Sequence, residues 1–496
     1  MSPQIRADTL AKPAFLLVTG RAVGLVASFA IGIILARMFA PEIFGTYKQF
    51  FLIYMTLYGL AQLGMAESLY YFVPRNTERT GRYVCNALVM LGGAGLLSLL
   101  GLWAWRTQIA ARLSNPELAD YMVLLGLFLT FTLMSTVLEI VMVSRKRHFV
   151  AAVTYAVSDI GRTLLFVIPA LIFGSLRAVF IGGVIFAGVR LALMIASLWR
   201  EFGRDFRVDV TLWRHQLAYA LPFALAVGIE VIQINYHQYV VASRFDAATF
   251  AVYAIGCLQI PLVDLIVTST VNVLMVKMAE DSSDAHATMG LWHDTVERLA
   301  FLIVPLSMML LVTAHGLIVG LFTTTYAASV PIFMVWALSI LPSVFAVDAV
   351  LRAFAQTRFL LWMNILRLGL VAALIGWCLS VFGLTGAVLV TLLTTALVKG
   401  LGVVKIARLL NIPLREALPW GRLGAITIRA IAATAPVLWI NYGLSLPPLA
   451  ELVAGGAAYV ATYALFSYGH SLNRLRSPVL GCSGAPEPLT TVEPTT

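Results

Sequence analysis

The chain has 496 residues, of which 60% are hydrophobic and only 12% are charged, and its formal net charge is +10. A soluble domain carries about 25% charged residues, so this composition argues against a soluble enzyme or a nucleic-acid-binding domain. The mean hydropathy of +0.89 indicates a chain that is solvated largely by hydrocarbon.

Fourteen apolar runs follow one another along the chain, and each is long enough to cross a bilayer as a helix of about 20 residues. The first run is too long for a typical cleavable signal segment, so we interpret it as a retained span. Short turns near Gly174 and Gly383 separate two pairs of runs, and twelve spans is the alternative count. The fourteen predicted spans are 14–36, 47–72, 84–105, 118–142, 150–173, 177–199, 216–242, 248–276, 298–322, 329–353, 359–382, 384–406, 426–443 and 448–468.

The basic residues predict the orientation of these spans. If the amino terminus is cytoplasmic, the inside segments hold 22 Lys and Arg residues and the outside segments hold 6. Cytoplasmic loops of membrane proteins carry an excess of Lys and Arg. The distribution therefore predicts an even number of spans, with both termini in the cytoplasm.

Two longer connectors divide the predicted spans into blocks of six, six and two. The fold class predicted is an all-α polytopic membrane protein with two six-helix lobes and two additional helices. We expect the Pro-, Gly- and Thr-rich end of the chain to be disordered. The predicted parts are an N-terminal lobe (1–199), a cytoplasmic linker (200–215), a C-terminal lobe (216–406), a second linker (407–425), two extra helices (426–470) and a cytoplasmic tail (471–496).

Two segments support a duplicated lobe. Ala36–Tyr47 reads ARMFAPEIFGTY and Ala242–Tyr253 reads ASRFDAATFAVY, with four identical positions at an offset of 206. RKRHF and AQTRF, which end at Phe149 and Phe359, repeat at an offset of 210. Since six is an even number, the two lobes would be related by a pseudo-two-fold axis along the membrane normal.

The segments LARMFAPEIFGTYKQF, LGMAESLYYFVPR and LPFALAVGIEVIQINYHQYVVASRFDAATFAVYAIG resemble the polysaccharide (O-antigen/exopolysaccharide) flippase family. This family belongs to the multidrug/oligosaccharidyl-lipid/polysaccharide exporter superfamily. The resemblance covers roughly residues 14–470. Members often carry an aspartate in the seventh span, where this chain has Asn235 and His237.

The resemblance implies a flippase of the bacterial inner membrane. Such a protein moves an undecaprenyl-pyrophosphate-linked oligosaccharide repeat unit from the cytoplasmic to the outer leaflet by alternating access of two lobes. A polysaccharide polymerase and a chain-length regulator are the expected partners. Nucleic acid is not an expected partner.

Ionisable and strongly polar side chains inside predicted spans need a partner or water, because a charge at the bilayer centre costs at least about 2.5–3.5 kcal/mol. Spans seven and eight, the repeat equivalents of spans one and two, carry polar residues at helical spacing that must face protein or water. The candidates for a substrate cavity are Arg21, Glu67, Asp159, Arg162, Glu230, Gln233, His237, Asp264 and Arg367.

Each basic candidate has a structural alternative. Arg21 can pair with Glu67 across adjacent spans, and Asp159 and Arg162 can pair at i, i+3 on one helix face. Arg367 lies at a depth similar to that of Asp348, which predicts a third ion pair. Cavity arginines would also suit a pyrophosphate, because the guanidinium offers a rigid fork of donors.

Glu139 and Arg190 lie close enough to the cytoplasmic face for their side chains to reach it, so no functional role is inferred for them.

The sequence contains no Walker A motif, no catalytic constellation and no metal-ligand spacing, which predicts a transporter without a cofactor that does not use ATP directly. Coupling to a proton or sodium gradient is open. The alternatives are a lipid II flippase and a cation-coupled drug or metabolite antiporter of the same superfamily. A membrane polysaccharide polymerase or ligase fits less well, because no long outside loop is available to hold catalytic residues.

Overall fold

The computed structural model of the chain describes residues 24, 27–145, 147–280 and 285–475. These residues contain no β-strand, and twenty α-helices follow one another along them. The helices are α1 (Ala27–Met38), α2 (Pro41–Ala61), α3 (Met65–Arg75), α4 (Thr80–Ala104), α5 (Arg106–Arg112), α6 (Met122–Ser135), α7 (Val137–Ser144), α8 (His148–Phe173), α9 (Leu176–Phe202), α10 (Val210–Arg244), α11 (Ala247–Gly256), α12 (Pro261–Glu280), α13 (Ala285–Val312), α14 (Ala314–Phe322), α15 (Val330–Leu338), α16 (Val347–Ala353), α17 (Thr357–Leu409), α18 (Trp420–Ala432), α19 (Ala435–Gly443) and α20 (Pro448–Leu475).

The predicted fold class, an all-α polytopic membrane protein, is confirmed. Within the described residues, nine helical segments are long and apolar enough to cross a membrane, or up to eleven if each of two bent pairs is one span. The bent pairs are α2 with α3, at 41°, and the two parts of α10, at 47°. The count of fourteen spans and the division into lobes stay predictions, and residues 476–496 of the predicted disordered tail lie outside the described residues.

Glycine breaks the helices at the two turns that the sequence predicted. Gly383 has φ +60° and divides α17 into two helical parts, and Gly174 has φ +58° at the end of α8. Glycine adopts these left-handed conformations without the steric cost that a Cβ brings. The divided α17 returns on itself, so its second part can reach residues of α16.

The repeated segments lie at a close contact between the two halves of the chain. Helices α2 and α11, which begin at repeat-equivalent positions, pack against each other. A Cβ on Gly45 would lie 1.8 Å from the Ala247 carbonyl oxygen, so only glycine allows this approach. The repeat-equivalent aromatic residues are all buried: Phe44, Phe250, Tyr47 and Tyr253.

Helix α10 connects the halves, because its two parts have different neighbours. In the first part, the Gln216 amide donates to the Ser68 hydroxyl at 2.8 Å, and the Tyr219 ring stacks on Tyr71 with centroids 4.7 Å apart. The second part crosses α2 and packs along α17. This second part, together with α12 and α15–α17, surrounds a cavity in the later half of the chain.

Candidate functional site

The main cavity has a volume of about 480 Å³. A smaller pocket of about 100 Å³ adjoins it and shares several of its wall residues. Concave sites with a few convergent polar groups are where proteins usually bind small molecules or head groups. The polar and charged wall of the main cavity is formed by His237, Gln259, Asp264, Thr268, Asn272, Ser339, Ser343, Asp348, Arg352, Arg367, Thr391, Thr395 and Lys399.

The basic residues of this wall outnumber the acidic ones. Arg352, Arg367 and Lys399 face Asp264 and Asp348. Lys399, on the second part of α17, forms an ion pair with Asp348 at the start of α16. The predicted ion pair of Arg367 with Asp348 is therefore wrong. Because α17 is broken at Gly383, its second part returns to α16, and Lys399 on that part is the partner of Asp348.

Arg367 interacts with a neutral group instead. With the Gln233 amide oriented by its hydrogen-bonding partners, its oxygen accepts from Arg367 Nη1 at 2.8 Å and from Nε at 3.1 Å. Gln233 is only 6% exposed, so its side chain is held in place by its surroundings. None of the ion pairs among the described residues includes Arg367 or Arg352.

Aromatic side chains close the other end of the cavity. His237 is 3% exposed, and its Nδ1 lies 2.6 Å from the Tyr253 hydroxyl. The Trp336 ring centroid is 5.9 Å from that of His237, and its indole N–H donates to the Leu258 carbonyl at 2.9 Å. Both rings are thus fixed by hydrogen bonds at their edges.

The structure brings together five of the nine residues that the sequence singled out. Gln233 and Arg367 contact each other, His237 and Asp264 line the main cavity, and Glu230 lines the adjoining pocket. The predicted polar spacing in spans seven and eight thus corresponds to helix faces that border the two cavities.

The other candidates lie in the first half of the chain. Arg162 and Asp159 form an ion pair at 2.8 Å on α8, and the Arg162 guanidinium also donates to the Ser28 hydroxyl on α1. Glu67 is partly buried on α3, and its Oε2 has no hydrogen-bond partner among the described residues. Arg21 lies outside the described residues, so its predicted pairing with Glu67 stays a prediction.

Sequence reasoning missed one buried ion pair. Arg190 on α9 bonds to Glu139 on α7, and Glu139 is only 2% exposed. The interpretation that both side chains reach the cytoplasmic surface is wrong for Glu139, because its carboxylate is buried and paired with Arg190.

Sequence reasoning also missed two basic residues of the cavity wall. Arg352 and Lys399 are not among the candidates singled out from the sequence, although both line the main cavity. Their predicted depth could have identified them, since Arg352, Arg367 and Lys399 lie on three consecutive predicted spans near the same membrane face.

Comparison with known proteins shows the family of this chain and the proteins that share its fold. The family model described as polysaccharide biosynthesis protein matches residues 34–331, which is more than half of the chain. No curated protein sequence matches the chain significantly.

Several solved structures have a similar fold. The lipid II flippase MurJ in an inward closed conformation aligns with a TM-score of 0.72 at 13% identity, over 94% of this chain and all of that chain. A mutant of the MATE transporter VcmN of Vibrio cholerae aligns with a TM-score of 0.58 at 14% identity, over 82% of this chain and 98% of that one. A MOP superfamily transporter from Pyrococcus furiosus aligns with a TM-score of 0.58 at 14% identity, over 81% of this chain and 95% of that one.

At these identities the structural likeness shows a shared fold. The family match is independent of that likeness and agrees with the resemblance found in the sequence of spans one, two, seven and eight. The chain therefore belongs to the polysaccharide biosynthesis protein family and has the fold of the multidrug/oligosaccharidyl-lipid/polysaccharide exporter superfamily.

Proposed function

We propose that this protein is a flippase that moves a polyprenyl-pyrophosphate-linked oligosaccharide repeat unit across the bacterial inner membrane, from the cytoplasmic to the outer leaflet. Its product would serve the assembly of a surface polysaccharide such as O-antigen or exopolysaccharide. A polymerase and a chain-length regulator would use the translocated unit. The protein would itself catalyse no covalent chemistry.

The observation that carries the proposal is the cavity with its charged wall between helices whose outer faces are apolar. The sugars and the pyrophosphate of such a substrate must avoid hydrocarbon, whereas the polyprenyl chain is soluble in it. A polar cavity inside a helical membrane protein supplies the environment that the head group needs. Helices that turn apolar side chains outward leave the lipid chain in the bilayer.

The charges of the wall favour an anionic head group. Arg352 makes no ion pair among the described residues, and Arg367 is bonded to a neutral amide. A guanidinium presents a planar fork of donors that fits phosphate oxygens in a bidentate manner. If both termini are cytoplasmic, Arg352 lies at the cytoplasmic end of its span, where the substrate would enter.

The residues of the first half have a secondary place in this proposal. Arg162 is close to Asp159 and Ser28, so its charge is already partly compensated. Arg21 and Glu67 would extend the polar surface in the first half of the chain. A proton or sodium gradient would supply the energy for transport.

Export in the host bacterium tests the proposal. Deletion of the gene should abolish the surface polysaccharide and cause its lipid-linked repeat unit to accumulate at the cytoplasmic leaflet. The wild-type protein should restore export, and Arg352→Gln with Arg367→Gln should not, at equal protein levels. Arg358→Gln is the matched control, because Arg358 is exposed and lies outside the cavity wall.

Two outcomes would contradict the proposal. Normal surface polysaccharide in the deletion strain, together with new sensitivity to cationic drugs, would favour the antiporter alternative. Accumulation of the peptidoglycan precursor instead of a polysaccharide repeat unit would favour a lipid II flippase.

A further inference from the structure

The cations of the cavity wall differ in how they are paired. Lys399 is neutralised by Asp348, and Arg367 is bonded to the amide of Gln233. The same cavity contains Asp264, and the adjoining pocket contains Glu230, yet neither carboxylate forms an ion pair with Arg367 among the described residues. A buried amide thus occupies the position at the guanidinium where a carboxylate would form a salt bridge.

We propose that Gln233 is a positioning residue that orients Arg367 and keeps its charge available for the anionic group of the substrate. The inference rests on the proposed function, and it assigns to the cavity the element that makes it selective for a charged head group over a neutral one.

The geometry supports this role. A guanidinium has five N–H donors in one plane. The Gln233 oxygen takes the Nε donor and one from Nη1, which leaves the Nη2 donors and the second Nη1 donor. The two contacts fix the plane of the guanidinium, and the buried position of Gln233 fixes the amide in turn. The remaining donors can then bind without the entropic cost of ordering the arginine side chain.

The neutrality of the amide is equally important. A glutamate at position 233 would have nearly the same shape and could accept the same two hydrogen bonds. It would also neutralise Arg367, so an incoming anion would have to displace an internal carboxylate. Gln233→Glu therefore separates the effect of charge from that of shape.

Glu230 provides a matched charge control. It lies three residues before Gln233 on α10, and it lines the pocket that also contains Arg367. The double variant Gln233→Glu with Glu230→Gln has the formal charge of the wild-type protein and moves one carboxylate from the pocket wall to the guanidinium. Gln259→Glu adds a carboxylate to the main cavity at a residue without a contact to Arg367.

Binding of geranylgeranyl pyrophosphate and of geranylgeraniol to the purified full-length protein in nanodiscs measures the selectivity. We expect the wild-type protein to prefer the pyrophosphate. Gln233→Glu should weaken pyrophosphate binding at least about tenfold and leave binding of the alcohol unchanged. The double variant should be as weak as Gln233→Glu, and Gln259→Glu should be affected less.

Recovery of pyrophosphate binding in the double variant would overturn the inference, because the net charge of the cavity would then be sufficient. Wild-type selectivity in Gln233→Glu would also overturn it. A parallel loss of alcohol binding in Gln233→Glu would indicate a structural role only and overturn it as well. A wild-type protein without preference for the pyrophosphate would count against the proposed function itself, and the inference would fall with it.

Discussion

Arg37, at the end of α1, donates a hydrogen bond to the carbonyl oxygen of Leu321 at 2.7 Å and a second one to that of Gly320. Both carbonyls belong to the last turn of α14, where main-chain acceptors have no partner within the helix. Helix α14 packs in turn on the start of α20, since a Cβ on Gly316 would lie 2.9 Å from the Pro448 carbonyl oxygen. The Arg37 guanidinium therefore connects α1 with the C-terminal helices.

Loss of this connection should lower the stability of the protein. Hydrogen bonds from a charged donor are worth more than neutral ones, but exposure reduces their effect, so we expect Arg37→Ala to cost about 1 kcal/mol. Thermal unfolding of the purified protein in detergent would measure it. Arg112→Ala removes the same charge from an exposed arginine on α5 and should have little effect. Equal unfolding temperatures for the two variants would contradict the prediction.

The buried pair of Glu139 and Arg190 should be costly to break at one side. Glu139→Gln leaves the charge of the partly buried Arg190 without its counter-ion, and we expect a loss of about 3 kcal/mol. The double variant with Arg190→Gln should recover most of this loss, because no unpaired charge remains. Glu201→Gln removes the partner of Arg145 and Arg147 near the surface, where we expect less than about 1 kcal/mol. A double variant no more stable than Glu139→Gln would argue against the pairing.

The contact of Gly45 with Ala247 predicts a strong effect of a single methyl group. Since the added Cβ would overlap the Ala247 main chain, α2 and α11 must separate, and we expect Gly45→Ala to destabilise the protein by at least about 1–3 kcal/mol. Gly93→Ala on α4 meets no atom within 4 Å and should be tolerated. Denaturation in the presence of increasing SDS would compare them. Equal tolerance of both substitutions would show that the two helices are not in close contact.

Asp209 should contribute a pH-dependent stabilisation. Its carboxylate accepts from Leu212 N at 3.2 Å, from Arg82 Nη1 at 3.1 Å and from Thr211 N at 3.1 Å. These hydrogen bonds, first of all that from the Leu212 amide, lower the pKa of Asp209 below its ordinary value. A carboxyl group with a lowered folded-state pKa stabilises the protein fully above its unfolded-state pKa of about 3.9, and the stabilisation is lost as the pH falls through the folded-state pKa.

Asp209→Asn should therefore lower the unfolding temperature at neutral pH and have a progressively smaller effect as the pH falls below about 4. Asparagine can still cap α10 but cannot pair with Arg82. Asp120→Asn, at an exposed position, is the control and should have little effect at any pH. A constant difference between the wild-type protein and Asp209→Asn across this pH range would refute the electrostatic origin of the effect.

The sequence predicts the helical class and the breaks in it, because apolar runs and glycines act locally. The turns at Gly174 and Gly383 are of this kind. It predicts less well which charged residues are buried. Glu139 and Lys399 lie near the ends of predicted spans, and their burial depends on helices that are distant in sequence. The sequence predicts Arg367 as the partner of Asp348, whereas the structure has Lys399, for the same reason. Hydropathy gives the depth of a residue in the membrane but not its neighbours.

The divided contacts of α10 have a consequence for the synthesis of the protein. Ser68 and Tyr71 leave the ribosome long before Gln216 and Tyr219, which they contact in the folded chain. Until that helix is inserted, the Ser68 hydroxyl and the ring of Tyr71 lack these partners, so the first six predicted spans cannot complete their packing when they enter the membrane. We expect a nascent chain that ends at the first linker to be degraded faster by the quality-control proteases of the membrane than one that also includes α10, in which these two contacts can form.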